Sequence, residues 1–452
     1  MRARPLAIAL CALACRSPGG PARGDASTRA TPDAALPEAA LDEGEGRFLD
    51  APGARREALL AALVNPDNEY SRVRAASYGF ETRGWDALPA WNPRTLPVTA
   101  EVARALADGA PIALDPATAR LWDGERPRTR AAWEALGRRV FFEYPMRAEA
   151  YAEYGLRHPD ALAAGGVRAA SDGSYPGLRV FQDVDGRARV GITCALCHSR
   201  EVDGRVVAGA ARRAFDYGRL RLTFHARTGA PLDPALASRM ARWGPGRADV
   251  TGDESEDPVA IPDLWGLRDQ TFFTQAGTLR SAGTITLAVR QETQLIETAH
   301  QRVRPPHELA WALAVYLMAL APPPAAARAL DAAQVAQGRA LFEAQCQSCH
   351  ANASGGGDLV AAEEVGTDPA LASGSARGTG RYRPPALVRV RDAGPYLHDG
   401  SVATLDDLFD PARLAPTWTR GAVGAGAVPG HAFGTRGSVR DRRAIVAWLE
   451  TL

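Results

Sequence analysis

The sequence predicts a mainly α-helical chain of two units built on one plan, with long irregular loops and an N-terminal helical extension. Apolar side chains recur at helical spacing along the 452 residues, while alternating strand patterns are sparse. A plan of helix, Cys-x-x-Cys-His, Gly/Pro-rich wrapping and helix occurs twice. A chain of this length with 46% hydrophobic residues can also bury more than one core.

The N-terminal "MRARPLAIALCALAC" places Arg2 and Arg4 before a short apolar run, which suits an export signal over 1–15 and is too short to span a bilayer. "ALAC" looks like a lipoprotein processing site with Cys15 as the acylated residue; the alternative is an ordinary signal peptide cut nearby. Residues 16–45 are rich in Pro, Gly, Ala and charge without periodicity and read as a flexible linker, a tether for a lipid-anchored domain.

Residues 46–126 form the extension: "ARREALLAALV" (54–64) has helical spacing, and "WDALPAWNPRTLP" is broken by proline. The first unit, 127–325, opens with "TRAAWEALGRRVFFEY" (129–144), where Trp133, Leu136, Val140 and Phe141 share one stripe. It closes with "HELAWALAVYLMALAPPP" (307–324). The apolar run Leu309–Ala321 is too short for a membrane span and reads as a buried core helix ended by proline. In the second unit, 326–452, Asp331 caps "AAQVAQGRALFEAQ", and "SVRDRRAIVAWLETL" ends the chain as a helix.

A formal charge of +1 gives nucleic acid little to bind, and the chain has no lysine, which excludes Lys as a metal ligand or Schiff base. Of six cysteines, Cys11 and Cys15 belong to the leader, and the other four form "CALCH" (194–198) and "CQSCH" (346–350). Two thiols at this spacing add to the vinyl groups of a porphyrin and deliver the adjacent His to its iron, so Cys194, Cys197 and His198 hold one covalent haem c, and Cys346, Cys349 and His350 another. The rival is zinc, but paired C-x-x-C zinc sites normally lie about 15–20 residues apart. Here most of the first unit intervenes.

Gly338 and Phe342 precede Cys346 where a close helix crossing needs a small residue and an aromatic, with Trp448 as their partner. For the far side of the second iron, the chain after His350 offers no Met, leaving His398, His431 and, less suitably, Tyr396. For the first iron the candidates are His225, Met240, His300, His307 and Met318.

"LGRRVFF" (136–142), "CALCH", "GRALFEAQCQSCH" and "GPYLHDGSVATLDDLF" resemble the bacterial di-haem cytochrome c peroxidase superfamily, which includes the enzyme that matures tryptophan tryptophylquinone and the haem-dependent rubber oxygenases. The resemblance covers about 130–452 and implies two cytochrome c-like haem domains. In the family's peroxidases a Met shortly before the last helix ligates the second iron; here "VPGHAFGT" resembles the rubber-oxygenase version, which implies His431 as the ligand and leaves His398 a hydrogen-bonding role near that haem.

No His occurs between 199 and 224, where the peroxidases carry a displaceable distal His, which implies an open face at haem 1. The stretch 245–293 occupies the place of the distal wall, with Trp265, Phe272 and Phe273 as redox-capable walls and Glu292 near the acid–base position. The family also brings Ca²⁺ between the domains, held partly by backbone oxygens, although Pro384-Pro385 replaces its Thr-Pro. The expected protein is a periplasmic or cell-envelope oxidoreductase passing electrons from a redox partner protein or small donor, through haem 2, to peroxide or O₂ at haem 1. The alternative is a non-catalytic di-haem electron carrier.

Overall fold

The computed structural model describes residues 38–78, 88–249 and 257–452. The expected leader, the acylation site at Cys15 and the linker through residue 37 lie outside the described residues. Seventeen α-helices occur among the described residues, with short strands between them.

Thr129 caps helix Arg130–Glu143 by accepting from the Ala132 amide, and Trp133, Leu136, Val140 and Phe141 form its buried face. It crosses helix His307–Ala319 at Gly137, where a Cβ would stand 1.9 Å from the Ala312 carbonyl oxygen and 2.6 Å from Tyr316 Cβ. Only glycine permits this approach. Phe141 then meets Tyr316, with ring centroids 5.7 Å apart.

The second unit repeats the construction. Asp331 caps helix Ala332–Gln345 through the Gln334 amide. That helix crosses the terminal helix Val439–Leu449 at Gly338, where a Cβ would stand 1.8 Å from the Ala444 carbonyl oxygen. Phe342 packs on Trp448 at 4.2 Å. In both pairs the glycine precedes its phenylalanine by four residues, and the receiving alanine precedes its aromatic by four. Leu309 to Val315 are buried without a gap, as a core helix requires.

Two expected boundaries shift. Residues 38–45, assigned to the linker, lie in helix Glu38–Asp50, whose Phe48 stacks on Trp311 at 5.6 Å while Glu45 accepts from the Trp133 indole at 3.0 Å. The stretch 46–126 is no appendage either. Phe48, Leu59, Tyr70, Tyr78 and Leu121 share one apolar cluster with Trp133, Phe141 and Trp311, so the core begins well before residue 127.

Strands also count for more than the sequence suggests. Thr95–Thr99, Ser174–Gln182, Ala188–Ile192 and Arg147–Ala148 form, in that order, an antiparallel sheet. The hairpin 174–192 turns at Asp185-Gly186 between alternating apolar residues.

The units interlock through 261–280. Arg213 reaches the Ala393 carbonyl (2.8 Å), Asn352 the Asp269 carbonyl (3.1 Å) and Arg383 the Thr274 carbonyl (3.0 Å). No described helix is long and apolar enough to cross a membrane.

Candidate haem sites

The first Cys-x-x-Cys-His follows the sheet directly. Thr193 accepts from the Ala195 amide at 3.3 Å, and helix Ala195–His198 carries Cys197 and His198 on one short turn. Gly177, at φ +93°, lets the neighbouring strand approach so closely that a Cβ there would meet the Leu196 nitrogen at 2.1 Å. Nδ1 of His198 donates to the Pro262 carbonyl at 3.0 Å, which fixes the tautomer with Nε2 free. Burial pushes its pKa down to about 4, so the imidazole is neutral near pH 7, the form that ligates a metal.

The second motif begins at the end of helix Ala332–Gln345. The His350 amide donates to the Cys346 carbonyl at 3.0 Å. Its Nδ1 donates to the Gly355 carbonyl, in a loop that Asn352 organises by accepting from the Gly356 amide at 2.6 Å. Burial lowers the His350 pKa as well.

Burial raises the thiols of Cys194, Cys197 and Cys346 to about 11. The four described cysteines form no disulfide. Among the described residues no cluster of three or more His, Cys, Asp or Glu gathers into a metal cage, so the two C-x-x-C pairs do not make one zinc site. In each motif the Cys pair is followed by a histidine whose Nδ1 is fixed on a backbone carbonyl, an arrangement that suits covalent haem attachment.

His431 faces His350, with ring centroids 6.4 Å apart and planes at 68°. Two imidazoles sharing one metal, with metal–nitrogen bonds of about 2 Å and a ring radius of about 1 Å, would stand about 6 Å apart. The pair therefore has the spacing that one iron needs. Burial first, then His350 and the Arg413 cation, push the His431 pKa down to about 4, again leaving a neutral ring. His398 goes elsewhere: it stacks on Tyr382 at 4.5 Å, bonds its hydroxyl through Nε2 at 3.3 Å, and its carbonyl accepts from the Ala260 amide. Tyr396 spends its hydroxyl on the Val390 carbonyl at 2.7 Å.

Around haem 1 the expected residues scatter. Glu292 is fully buried in helix Thr284–Thr298, with Oε1 2.5 Å from His307 Nδ1 and Oε2 accepting from the Tyr78 hydroxyl at 3.1 Å. Trp265 gives its indole N–H to the Ala208 carbonyl at 3.3 Å. The segment carrying Trp265 runs on the His198 side: Pro262 takes the His198 ring proton, and the Leu264 amide bonds to Gly209, whose own amide bonds to the His198 carbonyl. The segment expected as a distal wall is thus tied by hydrogen bonds to the His198 backbone and ring. Phe272 and Phe273 are buried in a short pairing with Leu279–Arg280. His225 bonds the Ala230 carbonyl, His307 is taken by Glu292, and Met240 and Met318 are buried in helix packing. His300 ends helix Thr284–Thr298 at φ +52°.

Two residues escaped the sequence. Arg213 ties the Ile261 carbonyl (2.6 Å) and Asp263 (2.7 Å) to the Ala393 carbonyl of the second unit, bracing the segment that holds His198. Arg413 holds the loop carrying His431. In a lysine-free chain with many arginines, nothing in the sequence distinguishes them.

Comparison with curated proteins gave no match. A family profile described as cytochrome C oxidase, cbb3-type, subunit III matches residues 333–449, roughly a quarter of the chain. The matched span runs from the Gly338 helix through His350 and His431 to the terminal helix. The chain thus contains a cytochrome c haem domain with covalently bound haem c, and with it a haem-based role in electron transfer.

Proposed function

We propose that the chain is an exported di-haem c oxidoreductase of the peroxidase type, in which electrons enter at the Cys346–His350 haem and are used at the Cys194–His198 haem. One observation supports this most strongly: the glycine, phenylalanine and receiving aromatic that frame the matched cytochrome c domain recur at the same intervals in the helices of the first unit. A bound haem supplies a one-electron couple at each site and, where the sixth position is open, a place for peroxide or O₂ to react.

The chain's own residues divide the work. His198 and His350 are each neutral, and each is oriented through Nδ1 so that Nε2 is presented to the metal. His431 closes the second site from the opposite face and suits it to electron transfer. At the first site the other candidate ligands are engaged elsewhere, which favours an open face. Glu292 Oε1 and His307 Nδ1 share a hydrogen bond in an apolar core, the contact an acid–base pair needs. Trp265 sits beside the turn at Gly266 that abuts Val388 of the second unit, a position suited to carrying electrons between the haems. Cys15 as lipid anchor, Ca²⁺ between the units and a reduced donor as partner complete the reading.

Peroxide consumption by the holoprotein with a reduced donor tests it. Wild type is expected to turn over, and Glu292→Gln, which keeps a similar shape but loses the ionisable proton, to slow turnover by about 10²–10⁴-fold with both haem spectra unchanged. A wild-type protein that consumes neither peroxide nor O₂ would be the non-catalytic carrier.

A further inference from the structure

We propose that Arg413 is the positioning residue for His431 and acts through the main chain of the loop that carries the histidine. The proposal rests on reading His431 as the second axial ligand. Arg413 lies in the turn Pro411–Leu414 and is fully buried. Among the described residues its hydrogen bonds all go to main-chain carbonyls: Nε to Leu408 (3.0 Å), Nη1 to Val428 (2.7 Å), and Nη2 to Gly430 (2.8 Å) and His431 (2.9 Å). The Val428 amide returns a bond to the Arg413 carbonyl at 2.7 Å. The planar fork of a guanidinium can serve several acceptors in fixed directions at once, whereas an ammonium is a compact point charge.

The loop needs such a brace. His431 has φ +46°, a left-handed conformation that a β-carbon disfavours. Gly430 before it, at φ +92°, passes so near Thr367 that a Cβ would lie 2.5 Å from its Cα. The His431 amide donates to the Val365 carbonyl at 2.7 Å, and the His431 carbonyl accepts from Arg413, so both sides of the residue are pinned.

The ring packs edge-on against Phe433 but is held by no hydrogen bond among the described residues. His198 and His350 each anchor Nδ1 on a backbone carbonyl, but the buried Nδ1 of His431 has no hydrogen-bond partner among the described residues. A ligand histidine is normally oriented through its second nitrogen. Here the orientation is set by the peptide groups that Arg413 and Val365 hold.

The test uses the holoprotein carrying Arg413→Met, Arg413→Lys or His431→Ala, read by the spin state of haem 2, CO binding to its ferrous form and the response to added imidazole. Arg413→Met fills the volume without donors; it is expected to raise the CO-reactive fraction of haem 2 by about tenfold or more, with imidazole restoring the low-spin spectrum. Arg413→Lys is expected to fall between it and wild type. If Arg413→Met melts at a lower temperature yet keeps haem 2 wholly low-spin and inert to CO, Arg413 supports only the fold and the proposal is overturned. Should that variant yield no folded holoprotein, the same inert low-spin result in Arg413→Lys overturns it. The ligand reading fails separately, if His431→Ala leaves haem 2 low-spin.

Discussion

On the proposed ligation, His431→Ala is expected to turn the haem at Cys346–His350 from a six-coordinate low-spin centre into one with an open position that binds CO and cyanide, with a raised potential. The expectation follows from the 6.4 Å separation of the two rings and from the lack of any Met after His350 that could take over. His398 cannot substitute without leaving Tyr382 and the turn its carbonyl anchors. Added imidazole should restore the low-spin spectrum by filling the vacated space. The checking measurement is the optical spectrum of the ferrous protein with and without CO. A variant whose haem 2 stays low-spin and inert would show that another group ligates the iron.

The second large effect is expected at the two helix crossings. Gly338→Ala puts a methyl 1.8 Å from the Ala444 carbonyl oxygen and 2.9 Å from Trp448 Cβ, and Gly137→Ala puts one 1.9 Å from Ala312 and 2.6 Å from Tyr316 Cβ. Backbone cannot yield as a side-chain tip can, so each helix pair must separate. Overpacking of this kind costs about 1–3 kcal/mol and sometimes more. Phe342 and Phe141 would then lose contact with their aromatic partners, loosening the helix pair that each crossing joins. Gly53→Ala is the control: its site in helix Pro52–Ala62 has nothing within 4 Å, and the exchange there should stabilise by up to about 1 kcal/mol. Calorimetric melting of the three holoproteins checks this; equal melting temperatures would mean that the crossings are not as close as described.

Much of the second unit was legible because covalent chemistry and packing leave local traces. Cys-x-x-Cys-His announces itself, and Gly338, Phe342 and Trp448 recur at intervals that a helix crossing dictates. Taking stock of the few histidines and methionines after His350 left His398, His431 and Tyr396, and the resemblance of "VPGHAFGT" singled out His431. Long-range relations left weaker traces. Gly137 and Phe141 stand far ahead of Cys194, with the sheet between them, so the repeated crossing was visible in sequence only as the fragment "LGRRVFF". Residues 38–45 read as linker because the first turns of helix Glu38–Asp50 are charged and small, and their contact, Glu45 with Trp133, is remote in sequence. The sheet hid in short alternations around Asp185-Gly186. The bond between His198 and Pro262, which ties the segment carrying Trp265 to His198, leaves no trace in the sequence. Arg213 and Arg413 work by bonding carbonyl oxygens, and a carbonyl carries no residue code.

The most direct test of the account is low-temperature EPR of the oxidised holoprotein with the spins quantified per chain. Two ferric centres per chain are predicted, one low-spin with two histidine ligands and one high-spin. A single centre per chain would contradict the two-haem reading, and two low-spin centres would contradict the open, reactive site at Cys194–His198.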